Sequence, residues 1–148
     1  MTVVNFHNLV RPEKDRAICR LAQEYYDAGR RIVVLAETDQ QSNILDCLLW
    51  SFQQPSFIPH RIWQDGSSPE MDKVLITTQH KQPEGFDVLI LASPGPLSFL
   101  RGFAEVVDFA EKYDPDLLAA SRRRYKECQG AGFTVKFVQK ELDLAPEL

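Results

Sequence analysis

Arg122, Arg124, Tyr125 and Lys126 crowd into one turn and a half of a segment whose residues favour helix. At 3.6 residues per turn, Arg122, Tyr125, Lys126 and Gln129 lie on one side. Leu117, Ala120, Arg124 and Cys128 lie nearer another, and Leu118, Ser121 and Tyr125 share a third strip. Arg124 therefore has an inward or intermediate orientation open to it. A guanidinium, an ammonium and a phenol held together suit a carboxylate that sits beside an apolar group. The competing reading is a solvated helix face whose late charges favour the helix dipole. The formal charge of the chain is −4. A cationic patch on an acidic protein selects a particular acidic partner; general binding to nucleic acid runs on phosphate neutralisation and needs a basic surface. Strong direct single-stranded DNA binding also lacks its usual basic groove with several stacking aromatics.

A second set is Trp50, Phe52, Phe57, Ile58, Pro59 and His60. Aromatics and prolines follow a helix there, in a stretch too irregular to bury them all. Exposed aromatics of this kind anchor interfaces. The alternative is that Trp50 and Phe57 plug the core.

Catalytic constellations are sparse. After the first strand comes Asn8-Leu9-Val10-Arg11-Pro12, with neither Gly-x-Gly-x-x-Gly nor Gly-x-x-x-x-Gly-Lys-Ser/Thr. Phosphate cradles need open backbone amides at a helix start, and Pro12 removes one. Ser93-Pro94-Gly95-Pro96 is a poor cradle for the same reason. No Gly-x-Ser-x-Gly elbow is present. His60 reads as a turn or surface histidine before it reads as a general base. Glu37 and Asp39 fit helix capping at a strand-to-helix turn, although ligands also bind at such turns in α/β sheets. A small nucleotide- or flavin-binding α/β enzyme is thus the alternative reading, its site near the ends of strands Arg31–Ala36 and Asp87–Ala92. Cys19, Cys47 and Cys128 are far apart, and His7, His60 and His80 are not at ligand spacing from any of them, so reduced thiols and no metal are expected. No cofactor is expected either.

The elements that must position these groups follow from periodicity. Val3 to Leu9, Arg31 to Ala36, Val74 to Thr78, Asp87 to Ala92, Ala104 to Phe109 and Phe133 to Gln139 read as strands. Between them, one helix opens at Pro12, with Glu13 and Asp15 in its first turn, and closes at Gly29. Another is capped by Thr38 or Asp39 and ends near Trp50. The last long helix has Asp114 as N-cap and Pro115 at its first position, and ends at Gly130 and Gly132. Phe52 to Trp63 is irregular or edge-like, Gln64 to Asp72 and Gln79 to Gly85 are loops, and Leu97 to Arg101 is one short turn. This pattern predicts an α/β fold: a single three-layer domain over residues 1–148 with a mainly parallel sheet, loose from about residue 140 onward. It resembles nucleotide-binding folds without their phosphate loop. The N-terminus lacks a basic leader and no apolar run reaches membrane-spanning length, so a cytoplasmic protein with no membrane partner is expected.

Two blocks carry a family resemblance. One is Leu49-Trp50 followed by Pro55-Ser56-Phe57-Ile58-Pro59-His60; the other is Glu105-Val106-Val107-Asp108-Phe109 followed by Arg124-Tyr125-Lys126 and Ala131-Gly132-Phe133. Both resemble the chi subunit family of bacterial DNA polymerase III. The resemblance implies a non-catalytic subunit of the clamp-loader assembly. It implies binding of the acidic C-terminal tail of single-stranded DNA-binding protein, which ends in Pro-Phe with a free carboxylate, through Arg122, Arg124, Tyr125 and Lys126. It also implies a psi subunit or a helicase-like partner at Trp50, Phe57, Pro59 and His60. The stretch Ala110-Glu111-Lys112-Tyr113 departs in length from the family pattern, and Gln129 stands where a further basic residue occurs.

Overall fold

The computed structural model describes residues 2–51, 58–64 and 72–140. Phe52, Pro55, Ser56, Phe57, most of the Gln64–Asp72 loop and residues 141–148 lie outside the described residues.

Chain order is β1 (Val3–Leu9), α1 (Lys14–Asp27), β2 (Ile32–Leu35), α2 (Asp39–Ser51), β3 (His60–Ile62), β4 (Val74–Thr77), β5 (Val88–Leu91), α3 (Leu97–Leu100), β6 (Glu105–Glu111), α4 (Pro115–Gly130) and β7 (Thr134–Val138). The strands form one sheet in the order β3-β4-β2-β5-β6-β1-β7. Every described pairing is parallel, so the sheet is wholly rather than mainly parallel.

Side-chain alternation divides the core into two layers. Ile32 and Val34 of β2, Val74 and Ile76 of β4, and Val88 and Ile90 of β5 pack with Ile18 and Leu21 of α1 and Leu45 and Leu49 of α2. Their neighbours Val33, Leu35, Leu75, Leu89 and Leu91 face the other way and join Phe99 and Leu100 of α3 and Cys128 of α4. The central strands are buried on both faces, which is why they read as unbroken apolar runs and not as alternating ones.

Local signals place most helix ends. The Asp114 carboxylate accepts hydrogen bonds from the amides of Asp116 and Leu117, and Pro115 takes the first position of α4. The Thr38 hydroxyl accepts from the Gln41 amide at the start of α2. Gly29 and Gly132 follow the ends of α1 and α4 at φ of 81° and 88°, a backbone region that a side chain disfavours. Helix α1 starts at Lys14 and not at Pro12, because the Glu13 amide first closes a tight turn onto the Arg11 carbonyl. Strand β6 runs on to Glu111, past the expected end at Phe109, because β1 stays in register beside it out to Leu9.

Cys19 and Cys128 are buried and Cys47 is exposed, all as free thiols. Burial pushes the Cys19 thiol up to about 12 and that of Cys128 up to about 11. No group of metal-ligating side chains occurs among the described residues. None of the described helices is long and apolar enough to cross a membrane.

His7 on β1 is 8% exposed, and its Nδ1 has no hydrogen-bond partner among the described residues. Burial lowers its pKa from 6.5. The unfolded chain then binds the proton more readily than the native one. This contribution to stability is complete above pH 6.5 and is lost as pH falls below it, until native His7 also protonates. Denaturant titrations between about pH 7.5 and pH 5 should show that decline, and His7→Leu should flatten it. Parallel declines in both proteins would place its origin elsewhere.

Candidate functional site

Helix α4 lies against the β1, β6 and β7 end of the sheet, and the join is not flush. A groove of about 240 Å³ runs between them, lined by Phe6 of β1, Phe137 of β7, Ala110 and Lys112 at the end of β6, and Leu118, Ser121, Arg122 and Tyr125 of α4. Register explains the floor: Phe6 pairs with Phe137, so both rings emerge on the same face. The Tyr125 ring packs 5.1 Å from that of Phe6, centroid to centroid. Phe137 is 42% exposed, a large apolar ring left uncovered at the sheet edge. The Lys112 ammonium stands 5.2 Å from its centroid. Ser121 is structural: its hydroxyl donates to the Leu117 carbonyl at 2.8 Å and accepts from the Glu111 amide at 3.3 Å.

The groove therefore has an apolar floor and cations on two walls, Arg122 from α4 and Lys112 from the turn after β6. Arg122 and Lys112 are exposed and Tyr125 is half-buried. This arrangement suits a ligand that is apolar at its end and anionic beside it.

The four cationic-patch residues expected from sequence divide here. Arg122 and Tyr125 line the groove. Lys126 is exposed on α4 outside that lining. Arg124 points into the protein. Its Nε donates to Asp108 Oδ2 at 2.7 Å and its second terminal nitrogen to Asp108 Oδ1 at 3.0 Å, with Glu111 3.9 Å away. Burial by itself lowers the Arg124 pKa, but the bonds and charge of Asp108 outweigh it and the net shift is upward. Arg124 thus anchors α4 to β6 and sets where Arg122 and Tyr125 stand. Glu111 completes the anchor, 3.5 Å from the Lys14 ammonium and accepting from the Tyr113 hydroxyl at 3.0 Å.

The family resemblance sets the Ala110–Tyr113 stretch, with Lys112, at the wall of the pocket, but sequence reasoning missed Phe6, Leu118 and Phe137 as parts of one site. The helical strip of Leu118, Ser121 and Tyr125 carried part of the signal. The two phenylalanines lie on strands that are distant in sequence, and no local pattern pairs them.

On the far side of the sheet, Trp50 in the last turn of α2 is 54% exposed, and Ile44 on the same helix is 44% exposed. The Trp50 ring lies 4.8 Å from that of His60. His60 is not the turn or surface residue expected: only 1% of its side chain is exposed. Its Nδ1 faces the Ile58 carbonyl at 2.7 Å, and its Nε2 faces the Asp46 carbonyl at 3.2 Å and the Asp46 carboxylate at 3.3 Å. It ties β3 to α2 and backs Trp50 from below. Pro59 is half-buried, and its carbonyl accepts from the amides of Lys73 and Val74. Phe57 lies outside the described residues.

Residues 1–136 match the family model described as DNA polymerase III chi subunit, HolC. The chain is 30% identical over 121 residues to DNA polymerase III subunit chi of Escherichia coli K12, covering 82% of each chain. It is 25% identical over 141 residues to the Pseudomonas aeruginosa subunit chi, covering 92% of this chain and 95% of that one. Among solved structures it is similar in fold to T4 UvsW, with a TM-score of 0.68 at 8% identity, covering 95% of this chain and 41% of UvsW. It is also similar in fold to the C-terminal domain of Saccharomyces cerevisiae Dbp5, with a TM-score of 0.53 at 12% identity, covering 95% of this chain and 91% of that one.

Proposed function

The chain belongs to the DNA polymerase III chi subunit family, an accessory replication subunit, and on that premise we propose that the groove beside α4 holds the acidic C-terminal tail of single-stranded DNA-binding protein. In this role the protein is a non-catalytic adaptor that bridges the tail to the clamp-loader assembly. The observation that carries the reading is the pairing of an apolar floor, Phe6, Tyr125 and Phe137, with two cations of different elements, Arg122 and Lys112. A terminal phenylalanine fits the floor. Its α-carboxylate and the preceding aspartates meet the cations, while Lys126 extends the positive field along α4. A net charge of −4 keeps this attraction local. Trp50, with Pro59, His60 and Phe57, forms the second contact, for a psi subunit or a helicase-like partner. There Trp50 is the anchor, and His60 acts by holding it in place.

Fluorescence anisotropy with a labelled tail peptide tests this. Binding should vanish when the terminal Phe is removed and weaken with added salt, since exposed charge pairs are screened. Arg122→Ala should weaken binding about tenfold, the loss of one charge-assisted contact. Lys112→Ala should act in the same direction and Lys126→Ala less. Unchanged affinity in the Arg122→Ala, Lys112→Ala double variant would overturn the assignment of the groove.

A further inference from the structure

The groove beside α4 opens next to the end of β7, and the residues that follow β7 have the chemistry the groove takes. Phe137 is the second-last residue of β7 and lies on the groove floor, 42% exposed. β7 is the last strand of the sheet, with no described strand on its outer side. Beyond Val138 the chain does not run straight off the edge. The Asn8 side chain donates to the Gln139 carbonyl at 3.2 Å, and the backbone bends at Lys140. Asn8 stands two residues beyond Phe6 on β1, so alternation puts its side chain on the face that carries the groove floor. The chain is therefore drawn to the groove side of the sheet as it leaves β7.

Residues 141–148 read Glu-Leu-Asp-Leu-Ala-Pro-Glu-Leu. Acidic and leucine side chains alternate there, and no cation interrupts them. In an extended chain Leu142 and Leu144 share one side, with Glu141 and Asp143 on the other. The groove matches that pairing, with Phe6, Tyr125 and Phe137 as an apolar floor and Lys112 and Arg122 as cations on its walls. Reach is no obstacle. The step from Lys140 to Leu144 spans up to about 14 Å when extended, and the floor begins at Phe137, just before the bend. We propose that residues 141–148 dock in this groove and compete there with an acidic tail offered by a partner. Leu142 and Leu144 rest on Phe137 and Tyr125, and the carboxylates meet Lys112 and Arg122. The docking rests on the groove alone; its regulatory consequence rests on the tail-binding reading above. A tethered segment acts at an effective concentration of about 1 mM. A contact with a dissociation constant of about that size fills half of the grooves and halves the affinity for an outside ligand. Such a guard turns away weak acidic peptides and yields to a tight one.

Amide spectra of the ¹⁵N-labelled full chain, compared with those of the double variant Leu142→Ser, Leu144→Ser, test the docking without any partner. The resonances of Lys112, Arg122 and Tyr125 should differ between the two proteins, and those of α2 on the far side of the sheet should coincide. A separate peptide copying residues 141–148, added to the double variant at about millimolar concentration, should return the groove resonances toward their wild-type positions. Added salt should oppose that return, since the charge pairs are exposed. Anisotropy then reads the competition: the labelled tail peptide of single-stranded DNA-binding protein should bind the double variant at least about twofold more tightly than wild type. Coincident groove resonances in the two proteins, or no response to the added peptide, overturn the docking whether or not the partner's tail binds. Equal affinity of both proteins for the partner's tail overturns the competition. If the partner's tail binds neither protein while the groove resonances respond as described, the tail-binding reading fails and the docking stands.

Discussion

Asp108→Ala is expected to lower the stability of the protein by about 3–5 kcal/mol, the range for a buried ion pair that loses one partner. Asp108 is 3% exposed, and both of its carboxylate oxygens accept from Arg124. Oδ1 also accepts from the Phe109 amide at 2.7 Å. Removing the carboxylate strands a guanidinium that is only 18% exposed. Glu111 does not replace it, because it stands 3.9 Å from Arg124 and already faces Lys14. The double variant Asp108→Ala, Arg124→Met should recover much of the loss, since an apolar pair of similar volume often matches a buried ion pair. Urea denaturation of wild type, both single variants and the double gives the coupling directly. Single variants that each cost less than about 1 kcal/mol would show that the pair behaves as a surface bridge and does not anchor α4.

Phe6→Ala is the second large effect, at about 3–5 kcal/mol for an aromatic ring removed from a packed interior. Phe6 is 1% exposed, yet its ring also contributes to the groove beneath Tyr125. One residue thus links the core to the proposed tail site. Phe6→Leu separates the two roles. It retains most of the apolar volume and should cost much less in stability, while replacing the flat face that Tyr125 rests on. Tail-peptide affinity in Phe6→Leu should fall although the protein is folded. If affinity held while stability dropped, the ring would matter only to the core and the groove floor would rest on Phe137.

Several features were readable from residues alone because their causes are local. Apolar runs such as Val88-Leu89-Ile90-Leu91 announce strands buried on both faces. Asp114-Pro115 announces a helix start, and its cap is the one that forms. The crossing from strand to helix to strand, repeated along the chain, already implied a parallel sheet. Arg122 and Tyr125 share a side of α4 by helical geometry, whatever the helix packs against.

The roles of Arg124, Glu111, Lys112 and Phe137 were not readable, since each depends on which strands are neighbours. Helical spacing left Arg124 between facing in and facing out. The choice was made by Asp108, which lies on a strand in the middle of the sheet and needs a cation once it is buried. Phe137 reads as an ordinary strand residue until β7 takes the edge next to β1 and sets it beside Phe6. His60 looked like a turn residue among prolines, but pairing of β3 with β4 carries it under α2, where Asp46 and the Ile58 carbonyl receive its ring nitrogens. By itself the sequence determined the layers, the helix faces and the positive stripe, because periodicity, caps and charge act over a few residues. Only the tertiary structure decided which cations stay free to bind and which are spent holding the fold, because burial and strand order bring together charges far apart in the chain.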